Sequence, residues 1–117
     1  MYEYNATVDR VVDGDTIDAL VDLGFDTWEK VRVRFLGINA PESRTRDLEE
    51  KKLGLAAKDR VKEILEENDN KFILKSHGVG KYGRCLGEIF VETLGETSLQ
   101  KTLINEGHGV EYYGGKR

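Results

Sequence analysis

Apolar and polar residues alternate with a period of two along the first third of the chain, which is the pattern of β-strands. It predicts strands at residues 7–12 and 16–23, joined by a turn at residues 13–14. Residues 24–28 close a second hairpin, and a third strand returns over residues 30–38 with apolar side chains facing the core. The chain therefore begins with three antiparallel strands.

The second hairpin predicts which side chains meet across the sheet. Antiparallel pairing is expected to place Asp15 near Gly37 and Asp18 near Arg34. Asp15 and Asn39 then lie at the same end of one hairpin. On the polar face, Arg34 and Asp18 are candidates for a cross-strand ion pair worth about 0.2 to 1 kcal/mol.

The apolar period changes from strand to helix after residue 46. Asp47 is the expected helix N-cap, with Glu50 three residues later, and the pattern ends near residues 68–70. This predicts one helix of about five turns. Its apolar stripe consists of Leu53, Ala57, Val61, Ile64 and Leu65.

Two more strands and a second helix follow. Strands are predicted at residues 71–76 and 84–91 with a glycine-rich loop between them, and a short helix at residues 98–106 is capped by Gly107. The order of three strands, helix, two strands and helix predicts an α+β fold that is mainly β. We expect residues 1–117 to form a single domain, a five-stranded antiparallel barrel of the OB type. The long helix follows strand 3, and the short helix lies near the C-terminus.

Charge and composition limit the classes of function. The 117 residues contain 22 acidic and 18 basic side chains, a net charge of -4, which excludes a strongly basic protein that coats DNA. No segment approaches the ~18 apolar residues of a membrane span, so no membrane partner is expected. A single cysteine, Cys85, and the lack of a signal peptide favour a cytoplasmic protein, or a secreted one if a signal peptide was removed. A monomer is expected.

Three short segments carry the chemistry of a phosphodiesterase. They are residues 12–16 (VDGDT), Arg34 with residues 39–42 (NAPE), and residues 81–84 (KYGR). Hydrolysis of a phosphodiester needs oxygen ligands for a hard cation, a carboxylate that activates water, and planar cations that hold phosphoryl oxygens. Each segment supplies one of these groups.

In this order the segments resemble the staphylococcal-nuclease-like (thermonuclease) family, whose pattern is D-G-D-T, then R-x-x-x-x-D-x-P-E, then K-Y-G-R. The chain departs from it at Asn39, where the family has Asp. The resemblance covers nearly the whole chain and implies the same fold. It also implies a Ca²⁺-dependent nuclease that cuts the 5' P–O bond of DNA and RNA, leaves 3'-phosphate ends and prefers single strands.

The metal ligands that the resemblance implies are Asp15 through its carboxylate, Asn39 through its amide oxygen and Ala40 through its backbone carbonyl. Asp13 would orient a metal-bound water without binding the metal itself. Asp and Gly are also common in ordinary turns, so residues 13–16 alone would indicate only a turn. Their coincidence with residues 39–42 at the facing end of the hairpin favours a site.

The implied catalytic residues are Glu42, Arg34 and Arg84. Glu42 would act as the general base, a role worth about 10² to 10⁴ in rate, although an exposed Glu after Pro is otherwise an ordinary surface residue. Arg34 and Arg84 would each hold phosphoryl oxygens with the guanidinium. For Arg34 the alternative is the ion pair with Asp18.

Substrate binding would fall to Lys81, Tyr82, Tyr112 and Tyr113, with the lysine on a phosphate and the tyrosines on a base or a terminal phosphate. Tyrosines near a terminus are also common packing residues. Two other functions stay open at this point. One is a noncatalytic module of the same fold that binds nucleic acid or a protein partner, and the other is a small barrel with no role in nucleic-acid chemistry.

Overall fold

A computed structural model of the chain describes residues 2–79 and 84–112. The elements are β1 (Tyr2–Asp13), β2 (Thr16–Asp22), β3 (Trp28–Phe35), β4 (Gly37–Asn39), α1 (Leu48–Glu66), β5 (Lys71–Val79), β6 (Cys85–Phe90), a 3-10 turn (Glu92–Leu94), α2 (Leu99–Asn105) and β7 (Val110–Tyr112).

Five strands form a closed barrel in the order β1-β2-β3-β6-β5, and β4 and β7 pair outside it. The barrel pairs are antiparallel except for β3 and β6, which run parallel. The predicted five-stranded barrel of the OB type, with a long helix after its third strand and a short helix near the C-terminus, is confirmed. The barrel and both helices share one core, whose fully buried members include Ile17, Val33, Leu74, Ile89, Val61, Ile64, Leu99 and Leu103.

The register of the second hairpin differs from the prediction by two residues. Asp18 pairs with Arg32, and Arg34 lies opposite Thr16. The cause is the loop, in which the amide of Thr27 donates to the carbonyl of Gly24 over 2.9 Å, so that the turn closes one residue earlier than expected. The predicted pairing of Asp18 with Arg34 was therefore wrong.

The predicted third strand is two strands in the structure. It is interrupted at Leu36, and Gly37 adopts a φ of 84°, a conformation that favours glycine. The chain thereby leaves the barrel and continues as β4, which pairs with β7 so that Gly37 lies opposite Tyr112. This change of direction puts Asn39 at the end of a separate short ladder.

Helix α1 begins as predicted, because the carboxylate of Asp47 accepts hydrogen bonds from the amides of Glu49 and Glu50. The predicted apolar stripe is correct except at its first member. Leu53 is 60% exposed, and Gly54 takes the buried position instead. The helix therefore begins its buried face with a residue that has no side chain.

Helix α2 ends in a Schellman motif. The amide of His108 donates to the carbonyl of Leu103 over 2.8 Å, and the amide of Gly107 donates to Ile104 over 3.0 Å. Arg60 of α1 forms a fork onto Glu106, with contacts of 2.7 and 2.9 Å, and this pair ties the two helices together. Among the described residues, neither helix combines the length and the apolar character needed to cross a membrane.

Candidate active site

The turn between β1 and β2 packs closely against α1 and the end of β4. An ideal Cβ at Gly14 would lie 2.6 Å from the Cβ of Ala57 and 3.1 Å from that of Ala40. Any side chain at position 14 would push these elements apart. Glycine and alanine therefore allow the turn, the helix and the strand end to meet. The residues that flank Gly14, Asp13 and Asp15, are thereby brought to the junction of these three elements.

Asp15 joins two of the sequence segments. Its Oδ1 accepts a hydrogen bond from the hydroxyl of Thr16 over 2.9 Å, and its Oδ2 accepts one from the amide of Ala40 over 3.0 Å. The residue is 9% exposed. The predicted proximity of Asp15 to the segment that starts at Asn39 is confirmed, since a direct hydrogen bond connects Asp15 to the next residue.

Arg34 points toward Asp15. Its Nη2 lies 3.7 Å from Oδ2 of Asp15, and its Nη1 donates to the carbonyl of Phe35 over 2.9 Å. The side chain is only 17% exposed, so the guanidinium is held in place on the protein surface. The guanidinium of Arg34 is therefore one of the two cations that were predicted for the site, and it lies beside the carboxylate that was predicted to bind metal.

Asp18, the alternative partner of Arg34, pairs with two other arginines instead. Asp18 accepts from Arg32 over 2.8 and 3.1 Å, and Arg10 lies 3.5 Å from the same carboxylate. The hydrogen bond from Arg32 is the main cause that lowers the pKa of Asp18 below its ordinary value, and burial opposes it. The shift in register thus separates a structural ion pair at Asp18 from the pair that Arg34 makes with Asp15.

Glu42 lies on the loop between β4 and α1, and its side chain is exposed. Its backbone amide donates to Oε2 of Glu50 over 3.2 Å. The next residue, Ser43, is 2% exposed. Its amide donates to Oδ1 of Asp13 over 3.3 Å, and its hydroxyl donates to the same oxygen. The backbone of Glu42 is therefore fixed from both sides while its carboxylate faces solvent.

Gly54 completes the support of this loop. An ideal Cβ there would overlap the carbonyl of Glu42 and lie 2.7 Å from the nitrogen of Ser43. The roles of Ser43, Glu50 and Gly54 in holding Glu42 were not predicted from the sequence. A signal for Gly54 was present, because an isolated glycine inside a helical pattern is costly and commonly has a packing reason.

The predicted metal ligands Asp15, Asn39 and Ala40 are brought together at the ends of β2 and β4. All three would offer oxygen, which suits a hard cation. Each oxygen of Asp15 accepts one hydrogen bond and keeps further lone-pair capacity for a cation. Within residues 2–79 and 84–112, however, no three or more His, Cys, Asp or Glu residues are grouped to hold a metal ion. The donor set fits a weak site with one carboxylate.

The third segment is described only at its last residue. Arg84 is partly buried and directly precedes β6. Leu86, two residues after Arg84, lies opposite Arg34 in the parallel ladder. The two arginines of the predicted set thus belong to neighbouring parts of the barrel, with Arg34 in β3 and Arg84 immediately before β6.

The predicted substrate-binding residues fall mostly outside the described part of the chain. Lys81, Tyr82 and Tyr113 lie outside the described residues. Tyr112 is partly buried in β7, opposite Gly37 of β4. It therefore belongs to the short ladder that also contains Asn39.

Comparison with known proteins finds similarity to nucleases. The family model described as staphylococcal nuclease homologue matches residues 32–116. The chain is 34% identical to endonuclease YhcR of Bacillus subtilis over 118 residues, which cover 95% of this chain and 9% of that protein. It is 35% identical to endonuclease YncB of the same organism over 106 residues, which cover 88% of this chain and 46% of that protein.

A third relative is the micrococcal nuclease of Shigella flexneri, which is 30% identical over 120 residues, or 96% of this chain and 62% of that protein. The chain spans less than half the length of both Bacillus relatives and less than two thirds of the Shigella protein. The family model nevertheless covers most of this chain, and it includes Arg34 and residues 39–42. The chain therefore belongs to the staphylococcal nuclease homologue family.

Proposed function

We propose that this chain is a nuclease that hydrolyses the phosphodiester bonds of DNA and RNA. The observation that carries the proposal is the position of Asp15, which accepts from the amide of Ala40 over 3.0 Å and lies 3.7 Å from Nη2 of Arg34. The carboxylate of Asp15 thus joins residues 12–16 to residues 39–42, the segments that hold the candidate metal ligands and Glu42. It also lies beside the guanidinium of Arg34. Relatives named as endonucleases and as a micrococcal nuclease support the same chemistry.

Arg34 and Arg84 serve the phosphoryl group in this proposal. The planar guanidinium donates two parallel hydrogen bonds to phosphoryl oxygens, which a lysine cannot do. Arg34 is already fixed through the carbonyl of Phe35, so little reorganisation is needed when charge builds up on phosphorus. The two arginines stabilise the additional negative charge of the transition state.

Glu42 is the general base of the proposal. A water molecule attacks phosphorus, its proton passes to the carboxylate of Glu42, and the bond from phosphorus to the 5' oxygen breaks. The leaving oxygen takes a proton from solvent, and the phosphate stays on the 3' end. The exposed carboxylate of Glu42 on a fixed backbone suits this role, because the base must reach water without losing its position.

The family is generally metal-dependent, and we propose Ca²⁺ as the ion, held by Asp15, Asn39 and the carbonyl of Ala40. When bound, the ion would offset phosphoryl charge and polarise water. The donors are oxygens, as Ca²⁺ requires, but they carry a single formal charge, so affinity without substrate should be low. Asp13 contributes by holding Ser43, and through it the loop of Glu42.

We propose single strands as the better substrate, with Lys81, Tyr82, Tyr112 and Tyr113 on the nucleotide. Exposed bases can stack on tyrosine, whereas bases in a duplex are already stacked. The protein has a net charge of -4, so binding to any nucleic acid should be transient and sensitive to salt.

The test is cleavage of a labelled single-stranded DNA and an RNA in millimolar Ca²⁺ and in excess chelator. We expect cleavage with Ca²⁺ alone, slower cleavage of duplex DNA, and fragments that carry 3'-phosphate. Arg84→Lys should lose about 10² to 10³ in turnover with an unchanged thermal melt, as removal of one transition-state donor typically costs. Lys62→Gln on α1 is the control, with expected wild-type turnover.

A noncatalytic nucleic-acid module is the second candidate. It is favoured by one observation, the lack of a group of three or more His, Cys, Asp or Glu residues suited to metal within the described residues. This candidate would be selected over the enzyme if the protein binds single-stranded DNA but does not cleave it. The Ca²⁺ concentration in this test is raised up to 10-fold above that of a control nuclease assay.

A further inference from the structure

Two exposed arginines follow Glu42 on the loop that leads to α1. Exposure alternates along this segment: Glu42, Arg44 and Arg46 face solvent, whereas Ser43 is buried and Thr45 is partly buried. The two arginines are therefore exposed within four residues of the candidate general base.

These arginines differ from the others in their electrostatic partners. Among the described residues, ion pairs with carboxylates hold Arg10, Arg32, Arg34 and Arg60. Arg44 and Arg46 form no ion pair with any described residue. Their charges are not offset by a fixed carboxylate, so they remain available to an external anion.

Two of the carboxylates that follow the arginines in sequence are engaged with the backbone. Asp47 accepts from the amides of Glu49 and Glu50 at the start of α1. Glu50 also accepts from the amide of Glu42. Asp47 thus caps the helix and Glu50 holds the loop, and neither forms an ion pair with Arg44 or Arg46.

The segment is fixed at both ends. Ser43 is bonded to Asp13 in the turn of the candidate site, and the amide of Asp47 donates to the hydroxyl of Thr45 over 3.3 Å. A fixed segment loses less conformational entropy on binding than a free loop would. Arg44 and Arg46 are therefore presented at a defined place next to Glu42.

We infer that Arg44 and Arg46 form a phosphate-binding arm for the nucleic-acid strand, beyond the scissile phosphate. The inference rests on the proposed function, since it assumes that the strand passes Glu42. Each arginine neutralises one backbone phosphate and releases counterions, which makes binding dependent on salt and independent of base sequence. The arm would give an acidic protein a local means of holding a polyanion.

The experiment measures binding of a fluorescein-labelled oligo(dT) by anisotropy, in chelator to prevent cleavage, from 50 to 200 mM salt. The arm variant is Arg44→Gln with Arg46→Gln. The matched control is Lys62→Gln with Lys71→Gln, which removes the same charge. Lys62 lies about 21 Å along α1 from its start. Thermal melts verify that both variants are folded.

For single strands, each phosphate contact contributes about 0.7 to the slope of log affinity against log salt. The slope is negative, and we expect its magnitude to be smaller by about 1.4 in the arm variant than in wild type. The magnitude for the control should stay within about 0.3 of wild type. Equal slopes in the arm variant and wild type, or equal losses in both variants, would overturn the arm.

The same measurements separate this inference from the proposed function. Wild-type protein that cleaves in Ca²⁺, combined with an unaltered slope in the arm variant, overturns the arm and leaves the nuclease standing. Loss of slope without cleavage by wild type supports the arm and overturns the nuclease. Wild-type protein that neither binds nor cleaves overturns both.

Discussion

Gly54 of α1 packs directly against the loop of Glu42, so that a Cβ at position 54 would lie 2.7 Å from the nitrogen of Ser43. Glycine inside a helix costs roughly 0.5 to 1 kcal/mol relative to alanine. This unfavourable glycine lies where the helix supports the loop of the candidate base. Helix α1 therefore acts as the platform that fixes the position of the Glu42 backbone.

We predict that Gly54→Ala destabilises the protein although alanine is the better helix former. The added methyl group overlaps the backbone of Glu42, and overpacking of this kind typically costs about 1 to 3 kcal/mol. The gain in helix propensity offsets at most about 1 kcal/mol of it. Urea denaturation gives the free energy of unfolding, and nuclease turnover should fall as well.

The control for this variant is Leu53→Ala, one residue earlier on the same helix and 60% exposed. It should change stability by no more than about 0.5 kcal/mol, as surface substitutions do. If Gly54→Ala were more stable than wild type, the helix and the loop would have to separate without cost, and the platform would not exist.

Ser43→Ala tests the other support of the loop. The substitution removes the hydroxyl that donates to Asp13 and leaves the weaker contact of the backbone amide. Loss of a partner for a partly buried carboxylate typically costs about 1 to 3 kcal/mol. We expect a loss of that size in urea denaturation, together with reduced turnover. Thr97→Ala, at an exposed position, should leave both quantities unchanged.

Local chemistry allowed much of the fold to be predicted. The N-cap at Asp47 and the helix end at Gly107 were correct because each depends on residues within one turn of the helix. The barrel was predicted because the alternation of apolar residues decides which face of each strand is buried. These features need no knowledge of distant parts of the chain.

The errors arose where geometry depends on backbone conformation or distant pairing. In the loop before β3, Phe25 and Asp26 adopt φ values of 53° and 58°, a left-handed conformation that Phe does not signal. That turn fixed the register and gave Arg32, rather than Arg34, to Asp18. The ladder of β4 with β7 was missed because three residues are too few to show a periodic pattern.

The predicted proximity of Asp15 to the segment that starts at Asn39 holds despite the error in register, for a physical reason. Asp15 lies immediately before β2, where the facing chain leaves the barrel, so a shift of two residues still leaves Ala40 within hydrogen-bond distance. The roles of the metal ligands and of the general base remain predictions.

Asp18 makes the stability of the protein depend on pH. Its pKa is lowered in the folded state, chiefly by the hydrogen bond from Arg32, so the deprotonated carboxylate favours folding. The stabilisation is complete above the ordinary Asp pKa of about 3.9 and is lost as the pH falls through the lower folded-state pKa. We predict that the difference in unfolding free energy between wild type and Asp18→Asn is constant above about pH 5 and shrinks below pH 4.

Denaturation series from pH 2.5 to 7 would measure this difference. Asp22→Asn, on the same strand, is the control, because its carboxylate accepts only a local hydrogen bond from the amide of Gly24 within the described residues. A difference for Asp18→Asn that stays constant down to pH 2.5 would mean that the contact with Arg32 does not favour the charged carboxylate.

Asn39 occupies the position where the family pattern has Asp. Asn39 is half-buried at the end of β4, and the next amide is bonded to Asp15. A carboxylate at position 39 would double the formal charge of the proposed ligand set, and calcium affinity depends on ligand charge. Unit charges about 4 Å apart interact by about 4 kcal/mol at an effective dielectric of 20. Repulsion between the two carboxylates offsets part of this gain.

We therefore predict that Asn39→Asp binds Ca²⁺ at least about tenfold more tightly without nucleotide, a change of about 1.4 kcal/mol. Calorimetric titration measures it directly, whereas turnover is a poor readout because the added charge also repels substrate phosphate. Asn5→Asp is the control, since Asn5 is exposed on β1 and lies about 26 Å along the strand from Asp13. Unchanged or weaker Ca²⁺ affinity in Asn39→Asp would mean that position 39 does not contact the metal, and the ligand set would then reduce to Asp15 and Ala40.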